Sequence, residues 1–206
     1  MRLYARLLAA SITLSIGCSD APSRLQQSSF DAGSVATAAV RAHDKNGDGS
    51  LNDEELIAIP SIQADLSQFD LDNNKSVSQR EIAERIQTWQ ALKVAIVPCS
   101  FVVKLDGKPL SDAEVSLEPE DFLGSTLKRC SGKTDSTGRV SPSQIATAED
   151  DDTAGLTGVP PGLYKIKITH PKLEKLPQYN TATTLGLQVA PDNPNLMLLE
   201  FVLSSK

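Results

Sequence analysis

Histidine is nearly missing from this chain of 206 residues: there are two, His43 and His170, far apart and outside any metal-ligand spacing, which argues against a zinc enzyme. Aromatic residues make up 4%, too few for a platform on which bases or sugars stack. A formal net charge of −6 and a pI near 5.0 leave no basic face for nucleic acid. No apolar run reaches the ~20 residues that span a bilayer as a helix. No Gly-x-Ser-x-Gly elbow occurs, and Gly132-Lys133-Thr134 lacks the first glycine of a phosphate loop, because Leu127 stands there. His170 directly precedes Pro171 at a strand end, which suits a surface histidine better than a catalytic base. The chain reads as non-enzymatic.

The first twenty residues are MRLYARLLAASITLSIGCSD. Arg2 and Arg6 give a positive start, Leu7 to Ile16 an apolar stretch, and Gly17-Cys18 follows, the pattern of a secretory signal over residues 1–17. Leu14-Ser15-Ile16-Gly17-Cys18 resembles a bacterial lipobox, with Ser15 where Leu is usual. That resemblance implies lipidation of Cys18 and a membrane attachment through the N-terminal lipid. Ser19 after the cysteine implies the outer membrane; the alternative is an ordinary secreted protein. Residues 18–33, rich in Ser, Gln and Ala, read as a flexible tether. With Cys18 so assigned, Cys99 and Cys130 remain. An even pair in an oxidising compartment predicts a disulfide, with about 3–4 kcal/mol from loop closure; the alternative is two buried free thiols.

Residues 44–55 read Asp-Lys-Asn-Gly-Asp-Gly-Ser-Leu-Asn-Asp-Glu-Glu. Asp44, Asn46, Asp48, Ser50, Asn52 and Glu55 fall where a twelve-residue EF-hand loop places oxygens on one Ca²⁺, and Gly49 falls where the chain turns sharply. Residues 70–81 repeat the pattern with Asp70, Asp72, Asn74, Ser76, Ser78 and Glu81, but carry Lys75 in place of that glycine. The second loop is expected to bind calcium as well, the alternative being a structural half that supports the first. Leu51 and Val77 are the apolar residues expected to join the loops through short strands. A helix over 34–43 leads into the first loop. Pro60 breaks its exit, and Ser61 is expected to cap a turn carrying Ile62, Leu66 and Phe69. Ile82, Ile86, Trp89 and Leu92 recur at helical spacing after the second loop. Residues 34–93 thus resemble the compact EF-hand pairs of secreted bacterial proteins. Dockerins are the second resemblance, implying a calcium-dependent module that binds a protein partner. Residues 44–81 hold nine acids and three bases, a net of −6, which bound cations would relieve.

After Trp89 the pattern changes to short strands. Val94 to Leu105 is β-branched and apolar. In 113–119 Ala113, Val115 and Leu117 alternate with Glu114, Ser116 and Glu118. Tyr164, Ile166 and Ile168 alternate with lysines, and 187–189 and 196–203 close the set. Turns at Asp106-Gly107-Lys108-Pro109 and Thr134 to Gly138 punctuate them, the pattern of a β-sandwich over 94–206. The order Leu105-Asp106-Gly107-Lys108-Pro109-Leu110, Ala113-Glu114-Val115, Thr134-Asp135 to Gly138-Arg139 and Pro160-Pro161-Gly162-Leu163-Tyr164-Lys165 resembles a carboxypeptidase-regulatory-like (transthyretin-like, prealbumin-like) domain of small planctomycete-type lipoproteins. The resemblance implies an accessory antiparallel sandwich without catalytic residues. The acidic run Glu149 to Asp152 reads as a solvated loop, the alternative being a weak cation contact.

The expected fold is therefore an α+β multidomain chain, an α-helical EF-hand pair followed by an independently folding sandwich. Changing Cys18 to Ala is expected to leave an unprocessed precursor or a soluble product. Membrane fractionation checks this, and a variant that partitions as the parent does would refute the lipid anchor.

Overall fold

The computed structural model describes residues 27–144 and 157–206; the signal-like segment, Cys18, the tether up to residue 26 and the run Glu149 to Asp152 lie outside the described residues. The chain is a mixed α+β protein with antiparallel sheets and few helices.

Helix α1 (Ala32–His43) starts where the Asp31 carboxylate accepts the Ser34 N–H at 2.6 Å. Ala32, Val35, Ala36, Ala39 and Val40 form its buried stripe. Strand β1 (Ser50–Asn52) then runs into α2 (Asp53–Leu56), a single turn. Two more single turns follow, α3 (Pro60–Gln63), with Pro60 in its first turn, and α4 (Leu66–Phe69). Strand β2 (Ser76–Ser78) pairs antiparallel with β1, Leu51 opposite Val77, and both residues are fully buried. Helix α5 (Gln79–Ala91) packs against α1 and buries Ile82, Ile86 and Trp89. Two expectations fail here. Leu92 is the C-cap of α5 and is exposed, at the helix end where no further element among the described residues covers it. Ser61 is not a cap: it is buried, and its hydroxyl donates to the Glu120 carboxylate at 2.7 Å.

The second half forms two sheets. In one, β5 (Glu114–Pro119), β6 (Cys130–Lys133), β8 (Ser143–Gln144), β9 (Gly162–Thr169) and β10 (Gly186–Val189) run antiparallel in the order β10-β9-β5-β6-β8. In the other, β3 (Phe101–Leu105) pairs with β4 (Lys108–Pro109), β7 (Arg139–Val140) and β11 (Leu199–Leu203). The expected all-antiparallel arrangement needs one correction, since β11 lies parallel to β3. Of the long apolar stretch from Val94, residues 101–105 become strand, and Val97 makes an isolated bridge to Val159. The chain passes between sheets from β7 to β8 through Ser141-Pro142, and a Cβ on Gly132 of β6 would meet the Val140 side chain of β7 at 2.7 Å, so the sheets touch there.

The expected Cys99–Cys130 disulfide is also corrected. Both are free, buried thiols. Burial pushes each up to about 12, and for Cys130 the neighbouring Cys99 adds to the rise. Parity and compartment predict pairing but contain no geometry.

The two halves do not stand apart. Alternation along β9 and β10 puts Tyr164, Ile166, Ile168, Leu187 and Val189 on the inner face of the five-stranded sheet and Lys165, Gly186 and Gln188 on its outer face. The helical lobe covers the outer face at the β10 end, so all four residues of β10 are buried. Here the α3 backbone approaches so closely that a Cβ on Gly186 would lie 2.0 Å from the Pro60 carbonyl carbon. His43 meets Phe122 edge-on at 6.3 Å, and Lys165 pairs with Glu120 at 3.1 Å. Burial raises the Glu120 carboxyl despite Ser61 and Lys165. Gly186→Ala is expected to cost about 3 kcal/mol, since backbone rather than a movable side chain must give way. Urea unfolding measures it; a loss under about 0.5 kcal/mol would mean that lobe and sheet are not held together in solution.

Candidate metal centre

The two acidic loops are built on one plan at an offset of 26 positions, with two exchanges: Asn74 donates to the first Asp70 oxygen where the offset would place Asn73, and the Asn and Asp of the third and fifth loop positions are swapped, so the side-chain amide bond runs the other way. In the first, the Gly47 and Gly49 N–H groups donate to the two Asp44 oxygens at 2.6 and 2.9 Å. In the second, the Asn74 and Lys75 N–H groups donate to the two Asp70 oxygens, both at 3.0 Å. Asn46 Oδ1 accepts the Asp48 N–H at 2.9 Å, and Asp72 Oδ1 accepts the Asn74 N–H at 3.2 Å. Asp48 Oδ1 takes the Ser50 N–H at 2.9 Å, and Asn74 Oδ1 the Ser76 N–H at 2.7 Å. Side-chain amides tie each pair together, Asn46 to Asp48 at 2.8 Å and Asn74 to Asp72 at 3.0 Å.

The last acid closes each loop in the same way. Glu55 accepts the Lys45, Asn46 and Asn52 N–H groups at 2.7, 3.2 and 3.0 Å. Glu81 accepts the Leu71 and Ser78 N–H groups at 2.9 and 2.8 Å and the Ser78 hydroxyl at 2.7 Å. Asn52 and Ser78 return a side-chain oxygen to the Glu55 and Glu81 N–H groups, so each forms a capping box that starts α2 or α5. These donors hold the Glu55 carboxyl below its ordinary value, with Asn52 and then Lys45 the main causes. For Glu81, burial works upward, yet the Ser78 and Leu71 bonds together leave it lowered. Both side chains are buried anions paid for by N–H groups.

Backbone conformation repeats as well. Gly47 and Gly49 stand at φ 76° and 85°, and Asn73 and Lys75 at 57° and 67°. Asn73 tolerates the left-handed region through its short side chain, but Lys75 occupies it at a steric cost of about 1 kcal/mol. In the second loop one oxygen each from Asp70, Asp72 and Glu81 lie within 4.8 Å of one another. Three converging carboxylates among amide and hydroxyl oxygens suit a hard divalent cation, which takes six to eight oxygens and no nitrogen or sulfur. Among the described residues this is the converging acidic set; Asp44, Asp48 and Glu55 of the first loop share its bonding but not that convergence.

Sequence reasoning missed the charged residues that fix the loops to the sheet. Arg85 of α5 is buried, donating to Asp192 at 2.6 and 2.9 Å and to Gln188 Oε1 at 3.1 Å. Its place in the buried stripe of Ile82, Ile86 and Trp89 was the available signal, since a charge there needs a partner. No family model, curated protein or solved structure matches the chain.

Ser78→Ala removes both the cap on α5 and a donor to Glu81. Unfolding in chelator is expected to show a loss of about 1 kcal/mol. An unchanged midpoint would mean that the box forms only with a cation present.

Proposed function

We propose that this chain is a calcium-binding protein of the cell envelope, an EF-hand pair carried on a transthyretin-like β-sandwich and tethered by lipid on Cys18. It has no catalytic role in this reading. The observation that carries it is the duplicated loop: two twelve-residue segments with closely matching hydrogen bonds, the same left-handed positions and a shared β1–β2 pairing at Leu51 and Val77. Duplication of so many independent features has no purpose in a solvated acidic turn. Asp44, Asn46, Asp48, Glu55 and their counterparts Asp70, Asp72, Asn74, Glu81 would supply side-chain oxygens, Ser50 and Ser76 backbone carbonyls, and Asn52 and Ser78 the water-mediated position. Calcium would supply the positive charge that offsets the local net of −6, ordering the lobe on the sheet. A dockerin-like interaction module is the second reading. It is favoured by the exposed face of α1, where Ser34, Thr37 and Arg41 remain uncovered by the sheets.

Calorimetric titration of the chain from residue 19 onward tests the first reading. Two calcium ions are expected, the first loop near 10⁻⁴ M, within the range of extracellular sites, and the second about fivefold weaker because of Lys75. Glu55→Gln should remove the tighter phase, and Lys75→Gly should tighten the weaker one about fivefold. Absence of calcium binding at millimolar concentration would refute the function, and an unchanged affinity in Lys75→Gly would refute the ranking.

A further inference from the structure

Glu81 and Arg85 stand four residues apart on α5, so they share one face of the helix, a turn from each other. Glu81 closes the second acidic loop, and Arg85 grips the sheet. Its guanidinium forks onto both Asp192 oxygens, in the turn after β10, and reaches Gln188 within β10. Gln188 is fully buried on the outer face that the lobe covers. On the other flank of the same loop, Asp65 lies five residues before Asp70, and its carboxylate faces the Gln188 backbone N–H. Burial raises the Asp65 carboxyl, against the Gln188 N–H and the charge of Arg85. The second loop is thus anchored through Arg85 to Gln188 of β10 and to Asp192 in the turn after it, more than a hundred positions away in sequence, with Asp65 beside Gln188 on the other flank.

The geometry points to Arg85 and Asp192 as positioning residues for the second cation site: their fork fixes the axial placement of α5, and with it the Glu81 carboxylate. A bidentate ligand must be placed to within a few tenths of an ångström. Glu81 rides on a helix whose only charged anchor to the sheet, among the described residues, is this fork. Binding at the loop and grip on β10 are then reciprocal, each strengthening the other by the same factor. The inference rests on calcium as the occupant of the loops.

Calorimetry on the full chain tests it, with calcium alone as the probe. In a Glu55→Gln background, where the second loop is read by itself, Asp192→Asn is expected to weaken binding about tenfold. In a Glu81→Gln background, which leaves the first loop, Asp192→Asn should change nothing. A merely structural role would weaken both loops alike. Lys104→Gln, which breaks the Lys104–Glu200 pair at 2.7 Å away from α5, should leave both unchanged. An unaltered second-loop affinity in Asp192→Asn overturns the coupling while calcium binding stands; a parent chain that binds no calcium overturns both. Hydrogen exchange on the unsubstituted chain decides the matter without any variant: saturating calcium should slow the Gln188 amide about tenfold and leave β6 amides as they were, and equal effects on both strands, or none on Gln188, would refute the coupling.

Discussion

A helical turn lies backbone to backbone against a strand: Pro60 and Ser61 of α3 sit over Gly186 of β10, at a distance that leaves no room for a methyl group. The rest of the arrangement follows from this approach. Because α3 covers the outer face at β10, that strand is buried on both faces, and the Gln188 side-chain oxygen takes its hydrogen bond from Arg85 of the lobe. Likewise Glu120, beside β9, is nearly solvent-free and is held by Ser61 from the lobe and Lys165 from the sheet. Of these polar contacts, Arg85–Gln188 and Ser61–Glu120 join an element before residue 93 to one after it. Buried ion pairs return little net stability, but breaking one partner leaves a charge stranded, so they specify a single docked position.

The acidic loops solve a separate problem with few parts. Tight turns leave backbone N–H groups pointing inward, and the carboxylates of Asp44, Glu55, Asp70 and Glu81 accept them. The same glutamates cap the helices that follow. Every carboxylate of the proposed cation site therefore has a structural duty as well, which explains how loops of such high negative charge are ordered by hydrogen bonding. The cost is a concentration of like charge that a divalent cation would relieve.

The sheets provide the platform. The five-stranded sheet turns Val115, Leu117, Tyr164, Ile166 and Ile168 inward, with Tyr164 satisfied through its hydroxyl to the Pro160 carbonyl at 2.9 Å. Thr134 ties the turn beside β5 by bonding Leu110 and Ala113. Val202 and Glu200 of β11 face outward, while Phe201 stacks edge-on against Phe101 at 5.0 Å.

Elements whose signals are local were legible in the sequence. The loop residues, the Leu51–Val77 pairing, the buried stripe of α5 and the alternation in β5 and β9 all follow from spacing within a dozen residues, because turn chemistry and periodicity act at that range. Strand β6 was not legible: Cys-Ser-Gly-Lys has no alternation, and it is a strand because β5 and β8 supply its hydrogen bonds. Nor were the parallel pairing of β3 with β11, the free state of Cys99 and Cys130, or the buried roles of Ser61 and Glu120. Sequence alone set the two loops and the two kinds of secondary structure. Tertiary structure alone decided that they form one body, because the contacts that join them, Gly186 under Pro60 and Arg85 on Asp192, link residues more than a hundred positions apart and depend on which faces are left to be covered.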